Sequence, residues 1–217
     1  MNEIKNTDDV QPTIRDFLEA QQWKHALFTT YALSLSYFES EVLRPLIQAG
    51  CDDIWLVADA QGYRASLLER RSMRVGQEYR LVPVGMPNGV FHPKCIYLSS
   101  PEQEILLVGS GNLTFGGHGR NAEVFEALTP DRHATAFQDF ADFLLGLGTR
   151  SDIQTGLTGW IDEFAARAEE ASRRGADDKS TPPIRLLHPL EIPIADQLVD
   201  TASTRGPCEE LKIISPY

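Results

Sequence analysis

Apolar residues along this chain come in short continuous runs, separated by segments in which they recur every three or four positions. The runs at 25–33 (HALFTTYAL), 54–58 (IWLVA), 79–84, 94–98, 104–108 and 122–128 are short and rich in β-formers, which predicts buried strands. Between them, residues 12–21 place Ile14, Phe17 and Leu18 on one helical stripe. Residues 38–47 place Phe38, Val42, Leu43 and Leu46 on another, which Gly50 ends. Helices are also predicted over 61–73, 134–147 (ATAFQDFADFLLGL) and 153–171. In the last, Trp160, Phe164 and Ala168 form the apolar stripe, and Asp162, Glu163, Glu169 and Glu170 an exposed face. Strands alternating with helices give an α/β layered fold with a largely buried sheet.

Residues 85–89 (GMPNG) break regular structure, and a Ser-Ser-Pro turn separates the two runs that follow. From 172 to 183 the composition turns to Arg, Gly, Asp, Ser and Pro, as in a linker. Beyond it, 192–199 suits a helix and 211–215 (LKIIS) a strand. The expected organisation is a lobe over 1–171, a linker over 172–183, and over 184–217 the start of a second lobe or a dimerisation segment.

A chain of 217 residues, 42% hydrophobic and 24% charged, has the material for one large folded domain or a domain plus part of another. The formal net charge of -11 excludes a surface that is basic all over, so nucleic-acid contact needs a local patch or a basic partner. Arg64, Arg70, Arg71, Arg74 and Arg80 offer such a patch. They serve equally as a solvated face answering Glu69 and Glu78. The polar, acidic start is no secretory signal, and no apolar run nears the roughly 20 residues that cross a bilayer. A cytoplasmic protein without membrane contact is expected. Cys51, Cys95 and Cys208 form neither a disulfide framework nor a zinc motif.

The chemistry concentrates in residues 91–126 (FHPKCIYLSSPEQEILLVGSGNLTFGGHGRNAEVFE). His92 and Lys94, two apart on an extended segment, project to one side. The imidazole is a nucleophile or proton carrier, and the ammonium a point charge for phosphate oxygens. Gly109-Ser110-Gly111-Asn112 follows an apolar run, adding hydroxyl and amide donors on a turn whose glycines could form an anion-binding nest. Each motif alone is commonplace, a surface histidine or a simple turn; their order after two strands, with Asn121 and Glu123 downstream, suits a phosphate pocket.

HPK, GSGNLT and Asn121-Ala122-Glu123 together resemble the half-site pattern of the phospholipase D superfamily. The stretch TTYALSLSYFESEVLRPL and the terminal LKIISPY are similar to bacterial HKD-family nucleases, several of which accompany helicases or defence systems. The resemblance covers residues 25–130 and, loosely, both ends. It implies a phospholipase D-like α/β/α sandwich with a mixed sheet. It also implies a metal-independent phosphodiesterase, a nuclease acting on DNA first of all, which needs no cofactor. His92, Lys94, Asn112 and Glu123 would be catalytic, with Lys94, Ser110 and Asn112 holding the phosphate and Glu123 fixing the imidazole tautomer. A second half-site would come from a homodimer mate or a further lobe. His118 and Asn121 are candidate pocket-lining residues, and Arg64, Arg70, Arg71 and Arg74 candidate nucleic-acid contacts. Where the family places an aspartate, five residues after the lysine, this chain has Ser99, with Glu102 and Glu104 nearby. A phospholipid-acting hydrolase and a non-catalytic scaffold or nucleic-acid-binding module are the alternatives.

Overall fold

The computed structural model describes residues 12–69, 72–150, 152–153, 158–180 and 183–205. A seven-stranded mixed sheet runs through it in the order β6-β5-β4-β1-β2-β3-β7. The strands are β1 (His25–Thr30), β2 (Asp53–Asp59), β3 (Arg80–Gly85), β4 (Cys95–Ser99), β5 (Glu104–Gly109), β6 (Phe125–Leu128) and β7 (Asp152–Ile153). β1, β2 and β3 are parallel, while β4, β5 and β6 join antiparallel on one side and β7 on the other.

The period-two alternation of side chains splits the core in two. Ala26, Phe28, Leu56, Ile96, Leu98 and Leu107 face α1 (Ile14–Glu19) and the helical stretch after β1. Leu27, Val57, Val82, Tyr97 and Leu106 face α5 (Pro130–Arg150) and α6 (Gly159–Arg174). The result is the expected α/β/α arrangement. Both faces of the sheet are covered, so strands read as continuous apolar runs rather than alternating ones.

Several boundaries differ from the sequence reading. The helix expected over 38–47 begins earlier and is interrupted: α2 (Leu35–Tyr37) passes through a π-helical turn (Phe38–Val42) into α3 (Leu43–Gln48). In α4 (Ala60–Glu69), the arginine-rich helix stops short of Ser72. A non-helical His133 (φ -137°, ψ 41°) kinks α5 and lets it start at Pro130. The strand expected over 122–128 shortens to β6 because its first residues are drawn to the site described below. The first part of the segment expected as a linker is held to the lobe. α6 continues to Arg174, Ala176 N–H donates to Pro130 O (3.0 Å), and Asp177 accepts from the Thr135 N–H (2.9 Å). Composition suggested a loose segment, but its aspartates are satisfied by partners some forty residues away. Residues 185–190 then pack along α5. Arg185 forks onto buried Asp139 (2.8 and 2.9 Å), whose Oδ2 also accepts the Leu186 N–H (2.9 Å). The helix expected at 192–199 is α7 (Ile194–Arg205); the strand expected at 211–215 lies outside the described residues.

Candidate active site

Strand directions bring the chemical residues to one edge of the sheet. The parallel strands β1 and β2 end there, β4 starts there, β5 ends there and β6 starts there. Such an edge is where α/β sheets offer a crevice to ligands.

His92 and Lys94 lie just before β4, on a segment fixed from both sides. Phe91 is buried and its N–H donates to Asp59 Oδ2 (2.9 Å), at the end of β2. Asp59 Oδ1 accepts the Gln61 N–H (2.8 Å), so one buried carboxylate caps the first turn of α4 and holds the chain beside His92. After Lys94, Cys95 N–H donates to Thr29 Oγ1 (2.9 Å). The Tyr31 ring lies against the imidazole, centroids 4.8 Å apart.

Lys94 is only 8% exposed, and its Nζ lies 2.7 Å from His92 Nδ1, 3.3 Å from Nε2 and 3.0 Å from the His92 carbonyl oxygen. An ammonium can only donate, so Nδ1 presents its lone pair and the neutral ring carries its proton on Nε2. Burial first, then the ammonium, hold His92 below the ordinary imidazole range, against a smaller opposing pull from Asp59. Burial also lowers Lys94, with Glu123 the largest opposing influence. No carboxylate pairs with Lys94 among the described residues. A nearly buried cation without a counter-ion is costly, and an entering anion would offset that cost.

Ser110 and Glu123 form a second unit. The Ser110 hydroxyl donates to Glu123 Oε2 and accepts the Val124 N–H (3.1 Å), while Asn121 Nδ2 donates to Glu123 Oε1 (3.2 Å). Two expectations change here. Glu123 does not fix the imidazole tautomer, since Ser110 and Asn121 take its oxygens and the ammonium faces the ring. Ser110 spends its proton on Glu123 rather than presenting it to a phosphate. Asn121, expected in the pocket lining, acts here by pinning Glu123.

Asn112 is aimed by the end of β1: its Oδ1 accepts the Ala32 N–H (3.0 Å), and the Leu113 N–H donates to Thr30 Oγ1 (3.1 Å). With the oxygen occupied, the amide NH₂ is left as the donor, making no hydrogen bond to a described residue. Thus Asn112 and His92 flank the Tyr31-Ala32 step. His92, Lys94, Gly109 and Ser110 line a cleft of about 360 Å³ with Leu186 and Leu187.

The glycines serve close packing, and the first two amides of the turn are spent on neighbouring backbone. The Gly109 N–H is used by Lys94 O (3.0 Å) and the Ser110 N–H by Val124 O (3.0 Å). A Cβ on Gly117 would meet Asn112 O at 2.2 Å, and one on Gly111 would meet Gly117 O at 2.2 Å. His118 is another correction. Its Nδ1 pairs with the Tyr37 hydroxyl (3.0 Å) and it lines a separate cavity with Tyr37, Phe115 and Arg120. Burial pushes it down to about 4, so it is a neutral packing histidine near pH 7.

The described arginines of the sequence cluster line neither cavity wall beside His92. Arg74 pairs with Glu78 (2.9 Å), Arg80 lies over Trp55 (5.7 Å) at the start of β3, and Arg64 is exposed on α4. Arg70 and Arg71 lie outside the described residues. Ser99 ends β4 at the opposite edge, about 16 Å from Lys94 at the strand rise, where its hydroxyl meets Glu104 (3.3 Å). Among the described residues no three His, Cys, Asp or Glu side chains lie together as a metal site requires. No described helix is long and apolar enough to cross a membrane.

Sequence reasoning missed Tyr31, Asp59, Leu186 and Leu187. An aspartate closing an apolar run before a helix was a readable cap signal for Asp59; the others come from distant chain and carried none.

No family model and no curated protein sequence matches this chain. Among solved structures, NucT from Helicobacter pylori is similar over 73% of this chain and 84% of its own, at 10% identity and a TM-score of 0.39. A polyphosphate kinase from Porphyromonas gingivalis is similar over 87% of this chain, at 11% identity and a TM-score of 0.46. This chain spans 25% of that kinase.

Proposed function

We propose that this chain is a phosphodiesterase of the phospholipase D type that cleaves nucleic acid, DNA first of all, and supplies one of two half-sites. The observation that carries this reading is the Lys94 ammonium, nearly buried, against the His92 imidazole and without a carboxylate partner among the described residues. A phosphoryl group entering the cleft competes for the ammonium and draws it from Nδ1. The lone pair so freed attacks phosphorus, forming an N–P bond as the P–O bond to the leaving group breaks. A histidine from the second half-site protonates the leaving oxygen. It then takes a proton from the water that cleaves the N–P bond and regenerates His92. Lys94 and the Asn112 NH₂ stabilise charge on the phosphoryl oxygens as it builds. Glu123, through Ser110 and Asn121, keeps the 110–124 loop in place.

The second half-site comes from another copy or a further lobe. In support, α7 carries exposed Leu198 and Val199, apolar surface that a partner would cover. A net charge of -11 makes delivery by a helicase or another defence-system partner part of the same reading.

The test is hydrolysis of single- and double-stranded DNA, and of phosphatidylcholine, by purified protein in a chelator. DNA cleavage should survive the chelator and fall by on the order of a thousandfold or more in His92→Ala. Cleavage of the lipid alone would reassign the substrate, and turnover unaffected by His92→Ala would leave only a scaffold or binding module.

A further inference from the structure

β1 is covered on both faces, where strands carry apolar side chains, yet its last two residues are hydroxylic. Thr29 and Thr30 are 2% and 0% exposed, and their partners across β2 are Val57 and Ala58. A buried hydroxyl is costly unless it is hydrogen-bonded, and both of these are. The backbone pairing of β1 with β4 ends at Phe28 and Ile96. There the Thr29 hydroxyl takes over, accepting the Cys95 N–H (2.9 Å) next to Lys94. The Thr30 hydroxyl accepts the Leu113 N–H (3.1 Å) next to Asn112 and donates to Ala32 O (2.8 Å). Its Oγ1 also lies 3.4 Å from Asn112 Oδ1, which the Ala32 N–H holds. Consecutive strand residues face opposite sides, so one strand end grips the lysine segment with one hydroxyl and the asparagine turn with the next. Tyr31 follows, its ring against His92.

We infer that Thr29 and Thr30 are positioning residues of the site, two hydroxyls that fix the Lys94 ammonium and the Asn112 amide relative to each other so that both reach one phosphoryl group. The inference rests on the phosphodiesterase reading and extends it to residues that touch no substrate. Lys94 and Asn112 sit on separate segments, and β1 is an element to which both are tied. A displacement of about 1 Å between catalytic groups can cost about a hundredfold in rate. Valine has the shape of threonine and the same preference for a strand, so packing and strand formation do not ask for the hydroxyl. What valine cannot do is accept the two amide hydrogens. The hydroxyls therefore serve the placement of the residues beside those amides rather than the strand that bears them.

The experiment compares Thr29→Val, Thr29→Ser, Thr30→Val and Thr30→Ser in the full chain. Valine keeps the shape and removes the hydroxyl; serine keeps the hydroxyl and removes the methyl. In hydrolysis of single-stranded DNA, each valine variant should lose about ten- to a hundredfold in kcat with KM within about threefold, and each serine variant should recover most of that loss. Should a valine variant not fold in denaturant unfolding, alanine against serine makes the same one-hydroxyl comparison. Equal losses in the valine and serine variants would mark a merely structural role and overturn the inference. A second readout, NMR of the His92 ring and the Asn112 side-chain amide, needs no turnover. Lys94 and Asp59 are the charged groups that act on His92. In Thr29→Val the ammonium is held less firmly against Nδ1, so the ring should titrate at higher pH than in the unaltered protein. In Thr30→Val the Asn112 amide signals should shift, and the serine variants should show neither change. Unmoved signals in both valine variants overturn the inference even where turnover falls. Shifted signals in a protein that cleaves nothing keep the placement and remove the catalytic reading, whereas cleavage that needs His92 but is indifferent to both hydroxyls does the reverse.

Discussion

The two edges of the sheet are built from similar residues and arrive at opposite electrostatics. At the edge where β2 begins, His25 Nδ1 meets Asp53 Oδ2 (2.9 Å), Trp55 Nε1 donates to Asp53 Oδ1 (2.7 Å), and Glu104 meets Arg174 (3.4 Å). Each histidine and arginine named there has a carboxylate. At the other edge the histidine has an ammonium beside it, and the carboxylates engage neutral donors: Asp59 takes backbone N–H groups, Glu123 a hydroxyl and an amide. A histidine is thus informative by the charge of its neighbour. Paired with aspartate it has its counter-charge; paired with Lys94 it sits beside a cation that has no carboxylate among the described residues.

That contrast can be broken most severely by removing the cation. Lys94→Met should lower turnover of the phosphodiester by about a hundred- to a thousandfold, whereas Arg174→Met at the other edge should leave it within about twofold. Comparable losses in steady-state kinetics of the two variants would erase the distinction. A smaller effect is expected from Ser99→Asp, which installs the residue the family pattern places there. Ser99 is buried against buried Glu104, so a second carboxylate should cost about 1–3 kcal/mol in denaturant unfolding and bring no gain in turnover. A tenfold gain would mean that the quiet edge reaches the chemistry after all.

The smallest effect is in the pH profile. His92 sits below its ordinary 6.5, so its neutral ring persists into mild acid, and on the proposed mechanism turnover should fall only as pH drops through that lowered value. Lys94 sits below its ordinary 10.5, so the ammonium is lost, and turnover with it, earlier on the alkaline side than a free lysine would allow. Residual activity in Lys94→Met should show its acid limb moved to higher pH, because one of the causes depressing His92 is gone. An acid limb above 6.5 in the unaltered protein would contradict the arrangement at this edge.

Most of the scaffold was legible because burial on both faces writes a strand as an apolar run, and α6 declares itself through Trp160, Phe164 and Ala168. His92, Lys94 and Asn112 were legible as a spaced pattern. What the pattern could not carry was direction. That Ser110 turns to Glu123, that Asn112 is aimed by Ala32, and that His118 turns to Tyr37 all depend on chain returning from far away. The attachment of Asp177 was hidden for the same reason: composition reports what a stretch could do alone, and Asp177 is not alone.

Asp59 has a thermal consequence. Because a single carboxylate secures both the first turn of α4 and the backbone beside His92, fraying of that helix end slackens His92 at the same moment. Heating should therefore silence any turnover that depends on His92 some degrees before the sheet itself lets go.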